Sequence, residues 1–516
     1  MFHLKCGAMN NNKIFSIDDL SSLIPKEKSA GKKIVLCHGV FDLLHIGHIR
    51  HFNEAKKLGD ILIISITPDE FVNKGPNRPA FSIKHRLESL AALQSVDFVV
   101  ENKWPTAVET IKILKPDIYC KGPDYKNHDE DITGKINEEE KAILSIGGKI
   151  NYTDDITFSS SNLLNKFGYI FNENQLSLIK KISLKHNYDE IKKMIDELKH
   201  LKVLLIGETI IDQYVFCEAL GKSGKEPVLV LRDLETQQYA GGAAAIARHL
   251  SDFCESITLL SLLGENKEYE SFIKDSFSKN IKTKFLYKKG SPTIVKKRYV
   301  DKVNNNKVLG VYSINDEKLD KENYLQLNET LLKLVPEHDL IIVSDFGHGF
   351  ISKSTAENIS KQKKFTTLNA QINAANVSYH TMENYEEIEC IIINENELRH
   401  QLRDKDGPLI SLMKELSKKQ KTSNVVVTQG DDGATLYNKI DNSIHTCPAF
   451  ASNVIDKIGA GDAMLALFSI ALKKGYDKNF SLFIGSLAAA QSVESIGNSK
   501  SVSKSKMLKT IQHIIK

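Results

Sequence analysis

Tryptophan occurs once and proline twelve times in these 516 residues, and none of the seven cysteines forms a CxxC pair. Cys6, Cys37, Cys120, Cys217, Cys254, Cys390 and Cys447 are an odd, scattered set. That pattern reads as reduced thiols rather than a disulfide or zinc framework. No apolar run approaches membrane-spanning length, and the start, MFHLKCGAMNNNKIF, lacks the apolar core of a signal peptide. A cytoplasmic location is therefore expected. Also missing is a basic stripe with interleaved aromatics; the net charge of +4 is spread along the chain. Nucleic acid and membrane are not expected as partners. What remains, 41% apolar and 26% charged, is a globular composition in a chain too long for one core.

Two blocks alternate strand-like and helix-like patterns. In the first, KIVLCH, DILIISI, VDFVV and DIYCKG read as buried strands, with helical spacing in IGHIRHFNEAKKL and SIKHRLESLAALQ between them. A second series opens at KVLLIGETIID and continues through ITLLSLLG, DLIIVSDFG, CIIINENEL and NVVVTQG. The alternation predicts an α/β protein with two doubly wound parallel-sheet domains, whose ligands sit at the carboxyl ends of the strands. The expected boundaries are an N-terminal extension (1–30), a first domain (31–167), a helical connector (168–200) and a second domain (201–516). Short β segments between Cys217 and Tyr239, such as PVLVLRDL, predict a small lid sheet on the second domain.

The densest local chemistry is GVFDLLHIGH, Gly39 to His48. The backbone leaves a strand at His38 and enters a helix near His45, with Ile46, Ile49 and Phe52 as its apolar face. His45 and His48, at i and i+3, then emerge on one side of the first turn. Unpaired N–H groups there favour phosphate, and Gly47 lets it approach closely. Two imidazole donors can stabilise charge on a nucleotide α-phosphorus as pyrophosphate leaves. A helical zinc pair needs HxxxH and a third ligand, and no HExxH occurs. His51 continues the spacing and is expected at the surface without a role.

Residues of about 30 to 167 resemble the HxGH cytidylyltransferase superfamily, and most closely the nucleotidyltransferase half of bifunctional heptose kinase/adenylyltransferases. The resemblance rests on GVFDLLHIGH, on NKGPNRP with Lys74 and Arg78, on RLESLAALQSVDFVV with Arg86, on KGPDY with Lys121 and Asp124, and on SSSN at 159–162. It implies a Rossmann-like fold in which His45 and His48 contact the nucleotide phosphates. Gly39, Phe41, Gly47, Lys74, Arg86 and Lys121 would line the nucleotide site. By the same resemblance Ser159, Ser160 and Ser161 grip the triphosphate, and Lys33, ahead of the first strand, is a further phosphate ligand. Thr157 stands where the family usually has glycine. ATP and CTP both remain open as nucleotidyl donor.

Near the other end stands DKIGAGDAMLALFSIAL. Gly459 and Gly461 leave bare N–H groups at the start of an apolar helix, an anion pocket. Asp462 at that opening is placed to take the proton of a substrate hydroxyl attacking the γ-phosphate of ATP. From about Lys202 onward the chain resembles the ribokinase-type sugar kinases, on AGGAAAIARHL with Gly241 and Gly242, NENE with Asn394 and Glu397, VVTQGDDG with Thr428 and Gly430, and DKIGAGD. The resemblance implies that Asn394 and Glu397 organise magnesium and phosphates, that Thr428 and Gly430 meet the nucleotide, and that Asp212 with the paired glycines holds sugar. It further implies a homodimer through the lid at 217–239. SDFGHG is no protein-kinase signature, because the glycine-rich loop and HRD segment are missing. His348 within it is a candidate substrate contact.

This half departs from heptose kinases in three ways. Ala245 replaces an asparagine, Asn369, Ala370 and Gln371 replace an Asp-Pro-Lys segment, and the transferase precedes the kinase. The combined expectation is a bifunctional enzyme that phosphorylates a sugar or sugar phosphate and joins a sugar 1-phosphate to a nucleoside monophosphate, with magnesium at both sites. The alternatives are a cytidylyltransferase for a polyol or other alcohol phosphate, and a kinase fold that acts only as a sugar sensor.

Overall fold

The computed structural model of the chain describes residues 13–72, 78–122, 135–153, 171–303, 305–372, 376 and 380–515. Lys74, Asp124, Thr157, Ser159, Ser160, Ser161 and Asn162 lie outside them. The chain divides into two compact units, Met1–Asn172 with Leu508–Lys516, and Glu173–Met507.

In the first unit six parallel strands are β1 (Ile14–Phe15), β2 (Ile34–Gly39), β3 (Ile61–Ile66), β4 (Phe98–Glu101), β5 (Ile118–Lys121) and β6 (Lys149–Tyr152), in the order β1-β4-β3-β2-β5-β6. Alternate side chains of β2 go to opposite faces. Ile34 and Leu36 join one core cluster, Val35 and Cys37 another, so both faces of the sheet are covered. Such two-sided burial is why these strands read as unbroken apolar runs. Phe52 is fully buried and fixes helix Ile46–Lys56 to the sheet; its truncation to alanine costs about 3–5 kcal/mol.

Residues 14–29 are not an appendage. Strand β1 pairs with β4, and helix Ile17–Ser29 buries Ile17, Leu20 and Ile24. Their i, i+3, i+7 spacing lays one apolar stripe into the core, while Ser16 caps the helix by accepting from Asp19 N at 3.1 Å.

In the second unit the main sheet has nine strands. Their order is Ile281–Lys288, Ser256–Gly264, Lys202–Gly207, Leu340–Asp345, Thr366–Ala370, Cys390–Asn394, Asn424–Thr428, Ala434–Asn438 and Ser443–Cys447. All neighbours are parallel except the last two pairs, which form an antiparallel edge. The lid is larger than expected: Thr209–Lys222 and Leu229–Gly242 are joined by Ile294–Asp301 and Lys307–Ser313 in a four-stranded sheet. The first of those last two strands carries the KKR run and neither alternates cleanly, which hides them in the sequence.

The segment expected as a connector also belongs to this unit. Helices Glu173–Ser183 and Tyr188–Glu197 bury Leu178, Ile179, Ile182, Ile191 and Ile195. Gln175 donates to Ala449 O at 2.6 Å, and Tyr476 Oη donates to Met194 O at 2.6 Å. No helix among the described residues is long and apolar enough to cross a membrane.

Candidate functional site

At the carboxyl end of β2 the chain turns through Phe41, whose φ of 49° is left-handed. A Cβ on Gly39 would meet the Phe41 ring at 2.8 Å, so glycine there lets the ring fold back over the strand end. Phe41 is buried, edge-on to His48 at 5.4 Å and packed on Phe52 at 5.0 Å between ring centroids. His45 caps helix Ile46–Lys56, its Nδ1 accepting from Gly47 N at 3.1 Å. With Nδ1 as acceptor, the neutral ring carries its proton on Nε2. The His45 and His48 rings stack at 4.0 Å and 25°. Two imidazoles and a helix N-terminus thus meet at one strand end, an arrangement that suits an oligophosphate.

The second unit assembles a different constellation. Gly459, with φ of 90°, opens helix Ala460–Lys473, and a Cβ on it would meet Asn498 Oδ1 at 2.4 Å. Gly461 faces open space. In the first turn of that helix, Asp462 has its carboxyl pushed up to about 7 by burial, then by the charge of Asp212, against the opposing pull of Lys296, with Glu397 adding to the rise. Asp212 is buried on the lid strand, where it accepts from Arg298 Nη1 at 2.6 Å and Asn498 Nδ2 at 3.0 Å. A Cβ at Gly241 would come to 2.1 Å from Asp212 Oδ2. Gly241 therefore gives the carboxylate its space, while Gly242, with φ of 58°, makes the turn into helix Ala243–Leu250.

Asn394 and Glu397 form a reciprocal capping box on helix Glu395–Leu402, at 2.8 and 3.0 Å. Burial pushes the Glu397 carboxyl up to about 7 against the hydrogen bonds it accepts. Asn394 and Glu397 bring an amide oxygen and a carboxylate together, oxygen donors of the kind magnesium takes. Thr428 ends strand Asn424–Thr428 and Gly430 begins the turn after it, with φ of 60°. Both lie at the carboxyl end of the main sheet.

Residues 200–505, more than half of the chain, match the family described as pfkB family carbohydrate kinase. The chain belongs to that family. Residues 36–164 match the family described as cytidylyltransferase-like. Among curated relatives, the bifunctional protein HldE of Aliarcobacter butzleri is 38% identical over 143 residues, which is 27% of this chain and 30% of that protein. Its counterpart from Geobacter metallireducens is 37% identical over 160 residues, 30% of this chain and 31% of that protein. The chain thus spans under a third of the length of these relatives. Phosphofructokinase-2 from Escherichia coli, solved in complex with fructose-6-phosphate, aligns with a TM-score of 0.50 and 16% identity. It covers 61% of this chain and 99% of its own, a likeness of fold.

Three residues expected at the nucleotide are placed otherwise. Lys33 is exposed and precedes β2. The histidines follow that strand's other end, roughly 20 Å away at about 3.3 Å per residue. Arg86 is buried and fully engaged: it donates to Val40 O at 2.6 Å, Thr67 O at 2.9 Å, Phe81 O at 3.0 Å and Asp69 Oδ1 at 2.5 Å. Its work is to hold the loops beside the site. Lys121 is also buried, paired with Glu139 at 3.0 Å. That carboxyl lies down at about 2 because the Lys121 and His38 charges and a hydrogen bond from Ala107 N outweigh its burial. A motif supplies the residue type; it does not say which partner the side chain finds.

Sequence reasoning missed Lys296, Arg298 and Asn498 in the kinase unit, and Glu208 beneath them. Glu208 is buried and accepts from Phe346 N at 2.9 Å and His348 N at 3.0 Å. His348, a candidate substrate contact, instead bonds Asp316 Oδ1 at 2.6 Å through Nδ1. The available signal was KKR in the lid strand, at 296–298.

Proposed function

We propose that the kinase unit phosphorylates a hydroxyl of a sugar phosphate and that the N-terminal unit joins a sugar 1-phosphate to a nucleoside monophosphate, releasing pyrophosphate. The observation that carries this reading is Asp462, held near neutrality at a helix N-terminus and flanked by Asp212 and Lys296. A carboxyl poised there accepts the hydroxyl proton as the oxygen attacks the γ-phosphorus, and the helix N–H groups take up charge on the phosphate. Magnesium bound with ATP supplies counter-charge to the phosphates.

Arg298 is paired with Asp212, and the remaining cation beside the acceptor carboxylates, Lys296, favours an acceptor that itself carries negative charge. In the N-terminal unit, His45 and His48 orient the nucleotide and donate to the α-phosphate oxygens. ATP and CTP both suit that chemistry. The lid supports a homodimer, because Leu229, Val230, Val308, Leu309, Val311 and Tyr312 expose apolar surface on it.

The test separates the two halves. Asp462→Asn should abolish phosphorylation and leave pyrophosphate release from a supplied sugar 1-phosphate intact. His48→Ala should do the reverse, with a loss of about a hundred- to a thousandfold. Loss of both activities in either variant would contradict two independent sites, and transfer only to polyol phosphates would replace the sugar reading.

A further inference from the structure

We infer that Cys37, Cys120 and His51 form a binding site for a zinc-class transition-metal cation in the N-terminal unit. Cys37 and Cys120 are direct partners on the neighbouring parallel strands β2 and β5, and both are completely buried. His51 reaches down onto them from helix Ile46–Lys56, and the three donor atoms lie within 4.8 Å of one another. In a tetrahedral zinc site the ligand atoms stand roughly 3.5–3.8 Å apart, so small side-chain adjustments close the set.

A second observation points to a ligand. His51 Nδ1 is bonded to Thr153 Oγ1 at 2.9 Å. A metal-binding imidazole is usually oriented in this way by a partner on its other nitrogen, which here leaves Nε2 for the cation. Burial and the Lys121 charge hold His51 down at about 4, so its ring stays neutral. Burial likewise keeps the Cys37 thiol well above its ordinary value. Coordination would change that: a divalent cation binds both sulfurs as thiolates and releases two protons.

The charges balance without strain on the surroundings. Two thiolates cancel a divalent cation, and the nearby Lys121 is neutralised by Glu139 at 3.0 Å. Soft sulfur with imidazole selects zinc-class ions over magnesium or calcium. Three protein ligands leave a fourth position open. Because His51 lies one turn beyond His48 on the same helix, the cation would tie the histidine-bearing helix to the strands beneath it. The binding itself does not depend on the transferase reading.

The full chain, reduced and stripped with chelator, is titrated with Co2+ and then Zn2+. The expected result is one Co2+ per chain with sulfur-to-cobalt charge-transfer absorption in the near ultraviolet, lost on adding equimolar Zn2+. Cys37→Ser, Cys120→Ser and His51→Ala should each abolish or shift that absorption. X-ray absorption at the zinc edge of the unmutated protein should show two sulfur neighbours, a readout that no folding defect can mimic. An absence of charge-transfer absorption in the unmutated chain, a zinc shell of oxygen and nitrogen alone, or absorption that persists in all three variants would overturn the site.

Discussion

Arg298 donates to Asp212 Oδ1 at 2.6 Å, while Asn498 holds the second oxygen at 3.0 Å. The carboxylate expected to receive sugar is therefore already fixed in place. In the proposed reading a sugar hydroxyl would bind it through the remaining lone pairs and meet a carboxylate that does not have to reorganise. The Arg298 guanidinium is itself committed to Asp212. Lys296, on the same lid strand, is the cation left to interact with the acceptor.

Replacing Lys296 with methionine should raise the acceptor KM about tenfold or more, the worth of a charge-assisted hydrogen bond. The KM for ATP should change little. Steady-state kinetics with phosphorylated and unphosphorylated acceptors reads this directly. An equal effect on both acceptors would contradict a charge-based role.

Asp462 works as a base only when ionised, and its carboxyl lies at about 7. Below that pH the proton stays on, so kcat/KM for the acceptor should fall tenfold per pH unit. A group whose pKa is raised on folding holds a proton that the unfolded chain has lost, so stability falls as pH rises from about 4 to 7. Asp462→Asn removes that cost. It should be inactive yet more thermostable at pH 8, by about 2 °C for each roughly 1 kcal/mol gained.

Arg86→Leu should destabilise the N-terminal unit, because it leaves the Val40, Thr67 and Phe81 carbonyls without their donor, at about 1–3 kcal/mol for each one left buried. Arg86→Lys should not rescue it, because one ammonium cannot satisfy four partners in the guanidinium plane. Urea unfolding measures this. Normal stability with only a raised nucleotide KM would return Arg86 to the binding site.

Leu229 and Leu309 are exposed on the lid. Introducing aspartate at both should leave a monomer by light scattering, while the unmutated chain runs as a dimer. A monomeric unmutated chain would contradict the dimer.

Much of this was legible in the sequence for physical reasons. Strands buried on both faces must be continuously apolar, as ILIISI and VVVT are; GVFDLLHIGH marks a helix start after a strand end, and GAGD marks a helix start. Helix Ile17–Ser29 was passed over within the expected N-terminal extension, although Ile17, Leu20 and Ile24 carry the helical period, and its short partner strand Ile14–Phe15 gave no signal. What stayed hidden depends on pairing across the chain. Asp212 meets Asn498, Cys37 meets Cys120, and Lys121 finds Glu139. No local spacing encodes such meetings; the sheet order creates them.

The most direct test of the whole account follows phosphorus resonances in one tube. Unmutated protein is mixed with magnesium, ATP and a heptose 7-phosphate, and CTP is added afterwards. The account predicts a new anomeric phosphate resonance as a bisphosphate forms, and, once a sugar 1-phosphate is supplied as well, a diphosphate-linked nucleotide sugar and pyrophosphate. A folded, ATP-binding protein that produced neither with this or any other sugar phosphate would contradict it.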